Sequence, residues 1–208
     1  MHIELLVEDS SGKRFLEVIL PRILGPWSEP HTWRVIGYKG VGRLPGNLEK
    51  QPDPAKRALL NQLPKLIRGY GRTPGIDAVA IIVDADKRDC REFLREINAA
   101  IGACTPRPAK TLVRIAIEEL EAWYFGDLSA LASAYPKYKK NVVNTYVQDS
   151  ACDTWELLAD AIFPGGRAAI KKQGWPAPGD LKHQWAKRIT AHMDVENNQS
   201  LSFCKLRD

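Results

Sequence analysis

Residues 76–89, IDAVAIIVDADKRD, limit what the chain can fold into more than any other stretch. Five apolar residues, 79–83, stop at two carboxylates one residue apart, Asp84 and Asp86. A short β-branched run without polar alternation is the pattern of a strand covered on both faces, and such strands belong to parallel sheets flanked by helices. Open sheets of this kind bind ligands beyond the carboxyl ends of their strands. If extended backbone persists through Ala85, Asp84 and Asp86 share a face and both turn their oxygens towards one hard cation, Mg²⁺ first among them. The plainer reading is a pair of solvated turn residues.

The same arrangement recurs. Residues 3–7 are apolar apart from Glu4 and end at Glu8, followed by Asp9, Ser10, Ser11 and Gly12. These offer caps for a helix in which Phe15, Leu16, Ile19, Leu20 and Ile23 recur at helical spacing, with Pro21 expected to kink or shorten it. Residues 111–117 read as a further strand, ending at Glu118 and Glu119; Glu121 lies one helical turn beyond Glu118, so the two can point the same way. Residues 31–38 supply a fourth strand and 39–54 a loop.

Between the strands, Asp53 and Pro54 predict the start of a helix carrying Leu59, Leu60, Leu63, Leu66 and Ile67, closed by Gly69 and Gly71. Asp89 and Glu92 have capping-box spacing ahead of Phe93, Leu94, Ile97 and Ile101. Strands alternating with helices predict an α/β class with a mostly parallel sheet. Beyond Asp127 the pattern turns helical: Asp127 is placed to cap a short helix, and Asp153 with Glu156 repeats the box. Gly- and Pro-rich stretches at 164–166 and 174–179 precede a last long helix beginning near Asp180. Residues 1–126 are thus expected to form the α/β core, with 127–208 a helical extension packed on it. Trp123 and Phe125 are expected in the core.

Charge points to an anionic partner. The 208 residues carry a formal charge of +5 and a pI near 9.0. Residues 31–72 hold nine Lys or Arg against two acids, and 164–208 hold eight against four with Trp175 and Trp185 interleaved. Lys39, Arg43, Lys172, Lys182, Lys187 and Arg188 are therefore the candidate nucleic-acid contacts, basic residues among aromatics suiting a single-stranded or distorted strand. Solvated helix faces are the competing explanation. His183 and His192 stand apart from other metal-type ligands. Cys90, Cys104, Cys152 and Cys204 are widely spaced and read as reduced thiols of a cytoplasmic protein. Glu4 and Glu8 interrupt the first apolar residues before a signal sequence or membrane span can form.

Three acidic strand ends, bearing Glu8, Asp84 with Asp86, and Glu118 with Glu121, would gather carboxylates along one sheet edge. Such a cluster calls for a neutralising cation, and a divalent ion held by a few carboxylates retains open positions for phosphate oxygens. An acid after the first strand and Asp-x-Asp after a central one resembles the Toprim fold of topoisomerases, primases and overcoming-lysogenization-defect nucleases. More closely, LVEDSSGKRFLE (6–17), GYKGVGRL (37–44), IIVDADKRD (81–89), IAIEELEAWYFGD (115–127) and HMDVENNQSLSF (192–203) resemble the bacterial Toprim-like family known as domain of unknown function 4276.

The resemblance implies a prokaryotic protein, often encoded beside an ATPase partner and associated with defence against phage or foreign DNA; the leading expectation for its activity is a Mg²⁺- or Mn²⁺-dependent nuclease acting on DNA or RNA, with a homodimer left open. It implies Glu8 as general acid or base and Glu8, Asp84 and Asp86 as metal ligands. Glu118 and Glu121 complete the candidate catalytic set; Lys39 and Lys182 are candidates, by residue type, for stabilising developing phosphate charge. Asp9 departs from the glycine that usually follows the Toprim glutamate. Two other readings are a non-catalytic module that binds nucleic acid or an ATPase, and a phosphatase of haloacid-dehalogenase type using Asp84 as nucleophile. Lys87 and Arg88 after Asp86 do not suit the phosphatase.

Overall fold

The computed structural model describes residues 1–53, 55–150 and 153–208. Four strands, β1 (His2–Val7), β2 (Thr32–Gly37), β3 (Ala78–Asp84) and β4 (Lys110–Ala116), form one sheet in the order β2-β1-β3-β4, every pair parallel. Helices α1 (Ser10–Leu24), α2 (Leu59–Gly71) and α3 (Cys90–Gly102) connect them. After β4 come α4 (Ala122–Phe125), α5 (Leu128–Ala134), α6 (Lys140–Val143), α7 (Thr154–Ile162), α8 (Gly166–Gln173), α9 (Ala177–Thr190) and α10 (Leu201–Arg207). The α/β class with a parallel sheet and a helical C-terminal part is therefore the architecture the chain adopts.

Strand alternation divides the core into two layers. Leu5, Val7, Ala80, Ile82 and Ala116 pack with Phe15, Leu16 and Ile19 of α1, Trp185 and Ile189 of α9, and Phe203 of α10. Leu6, Val79, Ile81, Val83 and Val113 pack on the other face with Leu59, Leu63 and Ile67 of α2 and Phe93 and Ile97 of α3. Both faces of β3 are covered, which is why its sequence is continuously apolar. Trp123 and Phe125 are buried as expected. The chain winds from β1 outward to β2, then returns across β1 to β3 and β4, and the connecting helices accordingly lie on opposite faces. The direction of winding reverses between β1 and β3, so their carboxyl ends flank the topological switch point where open sheets bind ligands.

Helix starts depart from the sequence reading where the cap comes from a distant part of the chain. Helix α2 begins at Leu59, not at Asp53, because the carbonyls of Gly40 and Val41 accept from the amides of Leu59 and Leu60 at 3.0 and 2.8 Å. Asp53 closes its own turn through Ala55 N–H, and Pro54 lies outside the described residues. Asp153 makes no side-chain cap; the α7 amide of Trp155 and the Thr154 hydroxyl both donate to Glu119 at 2.9 Å. Helix α8 occupies residues expected to be loop, α9 starts three residues before Asp180, and α1 runs past Pro21 to Leu24.

Local caps hold where predicted: Asp9, Asp89 and Asp127 accept from the amides of Gly12, Glu92 and Ala130. Cys90, Cys104 and Cys204 are free thiols, and Cys152 is outside the described residues. Among the described residues no helix is long and apolar enough to cross a membrane.

Candidate functional site

Glu8 follows the last residue of β1 and is fixed from both sides. Its carbonyl accepts from Gly40 N–H of the loop after β2 at 2.7 Å, and its carboxylate Oε2 accepts from the Asp84 amide at the end of β3 at 3.2 Å. Two strand ends 76 residues apart in sequence are thereby tied together at the switch point. Gly12 lets the first turn of α1 close down on β1, since a Cβ there would stand 2.5 Å from Val7 Cγ2.

Asp9 caps α1, its oxygens accepting from Gly12 N–H at 2.7 Å and from the Ser11 hydroxyl at 2.7 and 2.9 Å. An acid at a helix N-terminus is favoured by the helix dipole. Asp9 thus has a structural role as well as adding charge to the site.

Beyond β3 the backbone turns sharply. The Ala85 amide donates to Ala116 C=O at 2.9 Å and the Asp86 amide to Glu118 C=O at 2.7 Å, so the ladder with β4 continues past both strands. Asp86 (φ 49°) and Glu118 (φ 68°) are both left-handed, a conformation that non-glycine residues hold only where surrounding structure imposes it. Extended geometry therefore does not persist through Ala85, and Asp84 and Asp86 do not share a strand face: Ala85 is buried, and Asp86 is exposed beside Arg88 at 3.4 Å. Nor do Glu118 and Glu121 point the same way. Glu118 accepts from the Tyr146 hydroxyl at 3.4 Å, while Glu121 Oε2 lies 3.4 Å from Lys182 Nζ.

Lys182, singled out by residue type alone as a group to stabilise phosphate charge, is brought by the fold to the acids. Helix α9 packs lengthwise on α1 and carries the Lys182 ammonium into the acids. Burial alone would lower its pKa, yet Glu121, Asp84, Glu119 and Asp9 together raise it above the usual lysine range. The acids respond to the same crowding. Glu8 is pushed up to about 7, chiefly by burial, with Asp9 and Asp86 adding to the rise while the Asp84 amide and Lys182 oppose it. Asp84 is raised well above the carboxylate range by burial and then by Glu8, with Lys182 offsetting part of the effect. Burial likewise lifts Glu121 to about 7, against Lys182. Glu121 Oε2 accepts no hydrogen bond among the described residues despite that ion pair.

Glu8, Asp9, Asp84, Glu119 and Glu121 thus gather about the Lys182 ammonium, while the exposed Asp86, paired with Arg88, acts on Glu8 from the rim. Their donor chemistry, hard oxygens in excess of the positive charge present, fits Mg²⁺ or Mn²⁺. Among the described residues no three such side chains are already arranged on one point.

The other predicted contacts are scattered. Lys39 lines a shallow cleft with Tyr38, Arg57 and Gln62, next to the Gly40 amide that holds Glu8. Arg43 lies beside Arg88 and Phe93 on the α3 side. Lys172 and Lys187 are exposed, and the Arg188 guanidinium lies over the Tyr135 ring at 4.5 Å. His183 bridges helices, its Nε2 accepting from Arg14 at 3.2 Å and its Nδ1 lying 3.3 Å from Ser10 O.

The two sequence segments that carry the resemblance most specifically meet in space. Asn198 donates to Trp123 C=O at 2.9 Å, Trp123 Nε1 donates to the Ser202 hydroxyl at 2.8 Å, and the Gln199 amide donates to Gly126 C=O at 2.8 Å. The tail clamps α4, and α4 follows directly on Glu121. Residues 7–208 match the family model described as domain of unknown function (DUF4276), and the chain belongs to that family. No curated protein and no solved structure matches it.

Proposed function

We propose that this DUF4276 chain is a divalent-cation-dependent nuclease of Toprim-like design, hydrolysing phosphodiesters of DNA or RNA in prokaryotic anti-phage defence with an ATPase partner. The observation that carries the reading is the meeting of Glu8 with Asp84 at the switch point of the sheet, inside a cluster with more carboxylates than cations. Glu8, Asp84 and Asp86 are the residues that would hold Mg²⁺ or Mn²⁺, which when bound neutralises a scissile phosphate and activates water.

The chain's own groups supply the rest. Glu8, set at the end of β1 beside the Asp84 amide, is placed to take a proton from the attacking water or return one to the leaving oxygen. Lys182 holds Glu121 and would offer positive charge against the negative charge that a phosphorane develops on its oxygens. Lys39, beside the loop that fixes Glu8, reaches the same edge.

A second reading has its own support. Lys182 already neutralises part of the cluster by pairing with Glu121, as befits a non-catalytic module that binds nucleic acid or an ATPase. Incubating the protein with labelled DNA and RNA, with and without Mg²⁺ or Mn²⁺, separates the two. The nuclease reading expects metal-dependent cutting that falls about 100-fold or more in Glu8→Gln and Asp84→Asn. No cutting by the wild type, or equal cutting by Glu8→Gln, leaves the binding module.

A further inference from the structure

Trp175 is 84% exposed, the most solvent-open large apolar side chain among the described residues. Its position follows from how α9 lies on α1. Arg22, near the end of α1, donates to Thr190 C=O at the end of α9, while Arg14 and Ser10, at the start of α1, meet His183. The two helices therefore run parallel, and α9 begins six residues before His183. At a rise of about 1.5 Å per residue its first turns project roughly 9 Å beyond the start of α1, which is itself at the carboxyl edge of the sheet. Trp175 sits at that projecting end, while Lys182 of the same helix descends into the carboxylate cluster.

The ring is seated without being covered. Gly179, one turn into α9, leaves room for it: a Cβ there would stand 3.3 Å from the indole Cη2. Residues 164–192 hold six Lys or Arg against one acid, Asp180; Arg167, Lys171 and Lys182 are paired with Asp160, Glu156 and Glu121, while Lys172 and Lys187 face solvent. An aromatic face open to water, on a segment that also presents the solvent-facing Lys172 and Lys187, suits an unstacked base and its phosphate; a duplex keeps its bases stacked on one another and offers no face to it.

We infer that Trp175 is a base-stacking platform, and that the nucleic acid recognised at this edge is single-stranded, with one base on the indole and the adjoining backbone led along α9 to the carboxylate cluster. The inference deepens the proposed nuclease reading by naming its substrate class. It also stands apart from catalysis, because stacking is measured by binding.

The test is fluorescence anisotropy with labelled 12-nucleotide single strands of DNA and of RNA, and with duplexes of the same sequences, in Ca²⁺. The wild type is expected to prefer single strands. Trp175→Ala is expected to weaken single-strand binding about tenfold while leaving duplex binding unchanged, and Trp175→Phe to restore most of it. Equal single-strand affinity in Trp175→Ala, equal loss on duplex, or no nucleic-acid binding by the wild type overturns the platform. So does unchanged strand binding in Trp175→Ala together with loss of a co-purifying protein, which makes the indole part of a protein interface. Cleavage in Mg²⁺ is scored separately. A wild type that binds single strands through Trp175 without cutting them ends the nuclease reading alone, and metal-dependent cutting together with single-strand binding that ignores Trp175 ends the platform alone.

Discussion

Lys182 and Asp9 show how single side chains tune the acids around them. Lys182→Met keeps the aliphatic stem and removes the ammonium. At pH 8 the variant is expected to lose about 3 kcal/mol in urea denaturation, the cost of stranding buried charge. At pH 5, where Glu8 and Glu121 with pKa values about 7 are protonated in either protein, the gap should shrink. An equal gap at both pH values would mean that the ammonium does not serve as counter-ion. Asp9→Asn isolates the other contribution: asparagine caps a helix about as well as aspartate, so the fold is expected to stay within about 0.5 kcal/mol of wild type. Removing the charge that helps raise Glu8 should move the Glu8 titration downward, read by carboxyl NMR.

Among the elements, α4 and the C-terminal tail behave as one unit. Asn198 is buried, donating to Trp123 C=O and accepting from the Ser200 amide at 2.8 Å, and Ser202 accepts from the Trp123 indole. Asn198→Ala leaves a buried carbonyl and a buried amide unmet. It is expected to cost about 2 kcal/mol, seen as a Tm roughly 4–8 °C lower. A Tm unchanged within 1 °C would show that the clamp is not needed. The strands were legible because burial on two faces writes itself into consecutive residues, and the caps of α1, α3 and α5 because donor and acceptor lie within three residues. The starts of α2 and α7 were not legible: Gly40, Val41 and Glu119, which satisfy their first amides or side chains, lie 18 to 35 residues away.

For the whole molecule, the gathered acids make stability depend on pH. Glu8 and Glu121 have ordinary values of 4.5 and native values about 7, so the native state binds more protons than the unfolded chain between these limits. Stability of the metal-free protein attributable to them is greatest below about pH 4.5 and declines as pH rises to about 7, with Asp84 shifted in the same sense. Chemical denaturation across that window checks the sign, once the separate contributions of ion pairs such as Arg167–Asp160 are removed by substitution. Mg²⁺, which binds ionised carboxylates, is expected to raise Tm more at pH 8 than at pH 5. A shift equal at both pH values would place its binding elsewhere.

What the sequence determined by itself was local or periodic: the apolar runs that become parallel strands, the helices with nearby caps, and an acid closing each of three strands. Those signals are carried by residues within a turn or two of one another. Which acids meet was decided by tertiary structure alone. The reversal of winding between β1 and β3 joins Glu8 to Asp84, left-handed turns swing Asp86 outward and part Glu118 from Glu121, and packing of α9 on α1 brings in Lys182. Such encounters depend on the direction of whole helices and strands, a property no short stretch of side chains encodes.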